Sequence, residues 1–384
     1  MSHGLATDLH GLRGKPWPGV RPWLLMFVAA VGLRVANAWL ATGPHARPLS
    51  DPATYDTVAW NLARGAGFSL DGAGGACPTA LVPPLMPWVT SLLYRAVGHD
   101  YFAAVLLGCV IGSLVPLLLA AFTTRMFGSA AGRLAGWLAV VHPLLVYFCG
   151  DLLTETPFIV LLLLALLLSV EWVKTPRAGR AFGTGIAWGL AALAHPTALA
   201  MPVLVAAWAW LPLGFDLPAR GRLRQTVLLL LGLALTVGPW TLRNALVLHA
   251  FIPVTTGAGG TLLGGNNPGA WADPAIHPGG WVASPPRDLV HAVDPLPLWS
   301  AVVLPLALWG VALSLRGPRR WFQSLSLWVI LYSTWLGIAS FGSLRMRAPI
   351  EPLVVLFAAA GLDDLGRRLR ARRGGLRVVA RRSP

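Results

Sequence analysis

Charge is what this chain of 384 residues has least of. Asp, Glu, Lys and Arg make up 12% of it, against ~25% in a soluble globular protein. A sequence this poor in charge cannot cover a water-facing surface, and an ordinary soluble domain is excluded. Cysteine is scarce too. Cys77, Cys109 and Cys149 show no C-x-x-C spacing, so the chain is neither a disulfide scaffold nor a thiol-based zinc or redox protein. Cys109 and Cys149 lie in apolar runs and read as packing residues. The G-x-x-x-x-G-K-[ST] phosphate loop is missing. There is no D-x-D and no histidine cluster, so neither a tight metal site nor a cofactor is expected. No internal repeat of the kind many transporters carry is evident.

What is abundant is oil: 55% of the residues are hydrophobic. Ten apolar runs approach the ~20 residues that a helix needs to cross a ~30 Å hydrocarbon core. They lie at 23–42, 101–123, 133–150, 155–173, 182–195, 197–213, 226–245, 297–315, 321–341 and 349–366. The fold class expected is all-α: a polytopic membrane protein of about ten transmembrane helices. The fifth and sixth runs are short and share a tight turn at His195-Pro196. Residues 1–22 are expected to precede the membrane domain of 23–366, and 367–384 to follow it as a basic tail. The start resembles a signal peptide, with Ala36-Asn37-Ala38 after the apolar run, but the run is long and Arg34 and Asn37 interrupt it, so an uncleaved helix is expected.

The net charge of +15 would suggest nucleic acid in a soluble protein. Its distribution suggests otherwise. If the N-terminus is cytoplasmic and the runs alternate, 22 of the 30 basic residues fall inside, eight of them between Arg367 and Arg382. That is the positive-inside pattern. The basic tail then faces anionic lipid, and a nucleic-acid partner is not expected. The acids lean the other way. Asp51, Asp56, Asp71, Asp100, Asp151, Glu155, Asp273, Asp288, Asp294 and Glu351 fall outside or at outer helix ends, so any chemistry is expected at that face. Two outer loops are long, about 43–100 and 246–296, and long ordered loops tend to be functional.

In the first loop, Ser50-Asp51-Pro52 reads as a helix start with Asp51 as the cap. Tyr55, Val58, Ala59 and Leu62 then recur at helical spacing, with Asp56, Asn61 and Arg64 elsewhere on the wheel. This is an amphipathic helix suited to the membrane surface. A second short helix is expected within Pro83–Gly98, rich in proline at its start and apolar in its body. Asp151 and Glu155 are spaced to share a helix face if one helix runs through both. The plain alternative is that Thr154 caps a helix and Glu155 sits in its first turn. Arg345 and Arg347 flank the start of the last helix, a pair suited to an anionic group such as phosphate; as snorkelling anchors they would need no ligand. His195 in "ALAHPTALA" reads as a neutral hydrogen-bonding residue. "PWTLRN", with Arg243, leads into a glycine-rich loop that contains Asn266.

Taken in order, these pieces resemble the polytopic GT-C glycosyltransferases of the family 39 kind. That group is related to protein O-mannosyltransferases and to the aminoarabinose transferases that modify lipid A. The matching residues are Asp51, Tyr55 and "AWNLARGAG"; the proline-rich segment Pro83 to Gly98; Leu152 to Glu155; and then "PWTLRN", "VTTGAG", "GGNNP" and "LRMRAPIEP". The resemblance implies transfer of a sugar from a polyprenyl-phosphate donor to a hydroxyl acceptor on a glycan, lipid or protein, at the outer face of the plasma membrane. It implies Asp51 as base or acceptor-orienting group, Glu155 as the assisting acid, and Arg345 and Arg347 on the donor phosphate. Tyr55, Asp151, His195, Arg243 and Asn266 are the further candidate substrate contacts. His195 stands where many relatives have arginine. Asp51 is followed by Pro52 and not by a second acid, which argues against protein O-mannosylation. A transporter or lipid flippase, or a non-catalytic scaffold, is the alternative. A transporter predicts polar residues near the midplane, whereas the charges here gather at one face.

Overall fold

A computed structural model describes residues 19–211, 217–257, 295–316, 320–340 and 348–380. All ten apolar runs are helical within these residues. The first is α1 (Arg21–Ala41). Its buried residues are Met26, Ala30, Arg34 and Ala38, one every fourth position. That spacing keeps a single narrow seam against the bundle. Leu24, Leu25, Val28 and Leu40 point outward and are exposed, as expected where lipid is the solvent.

The first long loop forms α2 (Asp51–Ala63), a hairpin of β1 (Ser69–Gly72) and β2 (Gly75–Pro78), and α3 (Leu85–Val97). The hairpin is a small addition to the all-α expectation. The second run is two helices in line, α4 (Tyr101–Gly112) and α5 (Val115–Phe127). The third is broken. It forms α6 (Ser129–Val140), then α7 (Pro143–Tyr147) with a 3-10 turn at Phe148–Gly150, bent by 53°. The cause is Pro143. It lacks an amide hydrogen and pushes the residue before it out of the helical region; His142 accordingly has ψ 117. The same His-Pro step ends α9 (Ala178–Ala194), where His195 has ψ 123.

Between them lies α8 (Glu155–Lys174), almost wholly enclosed. A 3-10 turn at Pro196–Ala200 leads to α10 (Met201–Trp210), followed by α11 (Ala219–Leu248), α12 (Pro295–Arg316), α13 (Arg320–Ser340) and α14 (Glu351–Ala380). The last helix runs beyond 366, so most of the expected basic tail is its continuation. Among the described residues, four stretches have by themselves the length and apolarity of a span: Arg21–Ala41, Tyr101–Phe127, Glu155–Lys174 and Ala219–Leu248. The bent α6–α7 pair is a fifth, and Pro196–Trp210 and Val303–Leu315 are shorter apolar helices.

With lipid outside, helices gain by close packing of small residues. A Cβ on Gly185 of α9 would lie 2.0 Å from the Leu229 carbonyl oxygen of α11, and one on Gly310 of α12 would lie 1.9 Å from that of Phe357 in α14. Neither position has room for a side chain.

Arg34 is fully buried. Its guanidinium donates to the Ala139 oxygen at 3.3 Å and the Val140 oxygen at 3.4 Å. These are carbonyls left open at the end of α6, where a cation also meets the negative end of the helix dipole. Arg34, read from the sequence as an interruption of the first span, is therefore a bolt between α1 and the α6–α7 break. Arg34→Met should leave both carbonyls bare and cost about 1–3 kcal/mol, read as a lower midpoint of thermal unfolding in detergent. An unchanged midpoint would remove this role.

Candidate active site

Acids stand at or just before the starts of α2, α4, α8 and α14. Asp51 is the first residue of α2, and Ser50 occupies the cap position with φ 57. Asp51 is thus not the cap, contrary to the reading of Ser50-Asp51-Pro52. It retains the favourable place of a carboxylate in a first turn. Tyr55, Val58 and Ala59 are buried as the spacing predicts, but so are Asp56 and Asn61. Both were expected on a polar face, and both are covered because the loop folds back over α2. Asn61 donates to the Ser69 oxygen at 3.0 Å and to Asp71 at 3.1 Å, and accepts from Arg64 Nη2 at 2.6 Å. The "NLARG" segment is therefore the latch that holds the hairpin.

Asp56 accepts from the Tyr94 hydroxyl of α3 and lies 2.9 Å from His99 Nε2. Burial, then the adjacent Asp56 carboxylate, raises the Tyr94 pKa well above its ordinary value, so Tyr94 stays a neutral donor. The His99 ring stacks on Trp60 at 4.7 Å.

Asp151 and Glu155 do not share a helical face. The chain is extended at Asp151 and α8 starts only at Glu155. Asp151 accepts from the Tyr101 hydroxyl at 3.1 Å. Glu155 is 1% exposed, in the first turn of α8. Thr154 precedes that turn and makes no side-chain cap. Thr156 instead donates to the Phe148 oxygen at 3.1 Å, tying α8 back to the turn before it. His195 stacks on Phe158, one turn into α8, at 4.9 Å, and its Nδ1 lies 2.8 Å from Thr197 Oγ1.

Arg243 is placed differently. Its guanidinium donates to the Thr79 oxygen at 2.7 Å, the Phe68 oxygen at 2.9 Å and Asn244 Oδ1 at 3.0 Å, and lies 5.1 Å from the Trp240 ring. Trp240 donates to the Val254 oxygen, and Thr256 N–H to the Ala80 oxygen. "PWTLRN" is thus a clasp that joins the two long loops, with Arg243 as its brace. Arg243→Ala should lower the thermal midpoint and leave the KM for a sugar donor within about twofold. A large KM rise in a protein of native stability would restore the substrate role. Asn266, Arg345 and Arg347 lie outside the described residues.

The sequence reading missed one pair altogether. His142 Nε2 lies 3.0 Å from Glu351 Oε2, with the two side chains 0% and 1% exposed. The signal was present as a His-Pro step inside an apolar run. Among the described residues, no group of three His, Cys, Asp or Glu side chains is placed to hold a metal ion. At the opposite ends of the helices the polar contacts are structural. Arg125 pairs with Glu171 at 2.7 Å, and Trp172 donates to Gln225 at 3.0 Å.

Comparison with known proteins agrees with this architecture. Residues 81–240 match the family model described as dolichyl-phosphate-mannose-protein mannosyltransferase. No curated protein matches the chain. Among solved structures, an oligosaccharyltransferase of Archaeoglobus fulgidus aligns with TM-score 0.66 at 14% identity, over 94% of this chain and 51% of its own. ArnT of Cupriavidus metallidurans, solved bound to undecaprenyl phosphate, aligns with TM-score 0.62 at 16% identity, over 94% and 64%. The archaeal oligosaccharyltransferase AglB, in complex with an inhibitory peptide and a dolichol-phosphate, aligns with TM-score 0.62 at 14% identity, over 95% and 52%. The chain thus spans between half and two thirds of the length of these structures. It is a multi-pass membrane protein with the GT-C fold of the polytopic membrane glycosyltransferases.

Proposed function

We propose that the protein transfers a sugar from a polyprenyl-phosphate donor to a hydroxyl acceptor at the extracytoplasmic face of the plasma membrane, with both termini in the cytoplasm. The observation that carries this reading is a carboxylate, Glu155, enclosed at the start of the long apolar helix α8. Burying a carboxylate at a bilayer-spanning helix is costly, so such a residue is a functional candidate by default. The undecaprenyl phosphate and dolichol-phosphate bound to similarly folded proteins support a donor of the same chemical class here.

In this reading Asp51 accepts the proton of the attacking hydroxyl, which requires an approach of ~2.6–3.2 Å. Glu155 and Asp151 orient the acceptor and sugar beside it, with Tyr55 and His195 lining the same face. The lipid phosphate leaves without needing a proton, and cations lower the energy of its developing charge; Arg345 and Arg347 take that part. A single displacement of this kind inverts the anomeric centre. The experiment is a panel of labelled polyprenyl-phosphate sugars incubated with purified protein and candidate acceptors, with mass detection of products. Failure of every donor to yield transferred sugar would refute the proposal, and uptake of a donor headgroup into sealed vesicles without transfer would favour a flippase.

A further inference from the structure

We infer that the tripeptide His99-Asp100-Tyr101 is a splint that sets the spacing between the two acid-bearing elements of the site, making His99, Asp56 and Tyr101 positioning residues. The inference rests on the proposed transfer reaction, in which Asp51 on α2 acts together with Asp151 and Glu155.

Each residue of the tripeptide has a separate anchor. His99 reaches back to α2, with Nε2 2.9 Å from Asp56 Oδ2. Asp100 caps α4, accepting from the Ala103 N–H at 3.1 Å. Tyr101 reaches the segment between α7 and α8, donating to Asp151 Oδ1 at 3.1 Å. The Leu152 N–H points to the same hydroxyl at 3.5 Å. Three consecutive residues thus connect the Asp51 helix, the start of a span and the Asp151–Glu155 turn.

The splint is stiff at both ends. The His99 ring is stacked on Trp60, 7° from parallel, and meets Tyr94 edge-on at 5.0 Å. Tyr94 donates to the same Asp56 carboxylate, which therefore receives α3 and the tripeptide together. At the other end Tyr101 is buried. Nothing in α2 alone would fix Asp51 against Asp151, because Asp51 opens α2 and Asp151 lies in the extended segment before α8. Misplacing a reacting group by about 1 Å can cost on the order of a hundredfold in rate, so a part that holds this spacing acts on kcat.

The test has a structural arm and a kinetic arm, both on the full chain in nanodiscs. Spin labels on Thr57→Cys and Tyr147→Cys, in a Cys77→Ser background, report the distance from α2 to α7. The wild type and His99→Gln, whose amide still donates to Asp56, should give one narrow distance. His99→Ala and Tyr101→Phe should broaden it. In turnover, His99→Ala should lower kcat about tenfold or more with donor KM within about twofold. His99→Gln should recover most of that loss, and His99→Ala should add nothing to Asp51→Asn. A label distance unchanged by His99→Ala in an active protein overturns the splint alone, as does broadening with kcat unchanged. A wild-type protein that transfers no sugar overturns the reaction, and the positioning role falls with it.

Discussion

Asp51→Asn is expected to lower sugar transfer by about 10²–10⁴-fold, the usual contribution of a positioned base, and to leave the protein folded. Asparagine preserves the size of the side chain and the start of α2. What it removes is the carboxylate's ability to take a proton from a hydroxyl. Asp51 sits in the first turn of its helix, so loss of its charge also forfeits a dipole interaction worth roughly 0.3–1 kcal/mol. That is too little to unfold a domain of this size. The measurement is turnover with a labelled donor alongside a thermal melt. If turnover stays within about threefold of wild type, Asp51 takes no proton, and the base must be sought elsewhere on the outer face.

Glu351→Ala should be the most damaging single change to stability, by about 3 kcal/mol or more, the range seen when one member of a buried pair is removed. Glu351 opens α14, and His142 stands at the bend between α6 and α7; the two are 209 positions apart in sequence and their side chains meet at 3.0 Å. They tie the final helix to the segment that leads into Asp151 and Glu155. Removing the carboxylate leaves an enclosed imidazole without this acceptor, and α14 without its first-turn acid. Glu351→Gln, which still offers an oxygen to His142, should lose clearly less. Tryptophan fluorescence melts in detergent would report both. A Glu351→Ala protein that melts with the wild type would show that the pair holds nothing together.

Much of this protein was legible before any coordinates. Hydropathy located the ten helical runs, because a membrane helix must satisfy its backbone within itself and show lipid an apolar surface. That constraint is local, so it is written in consecutive residues. The helix within Pro83–Gly98 and the one starting near Asp51 followed from proline placement and apolar spacing. The break at His142-Pro143 was missed, although the proline stands in the 133–150 run and its effect on the preceding residue is local. The run's overall apolarity concealed it.

What sequence alone determined, then, was which segments are helical and which superfamily the ordered motifs resemble. The tertiary structure decided which polar side chains are enclosed and by what. Asp56 and Asn61 looked solvent-facing on a helical wheel, yet a hairpin and a second helix cover them. Arg243 looked like a ligand contact and is bound to loop carbonyls. Arg34 and the His142–Glu351 pair came together across long stretches of chain. A side chain's partner across such a distance is set by how helices pack, and neither hydropathy nor local spacing encodes that.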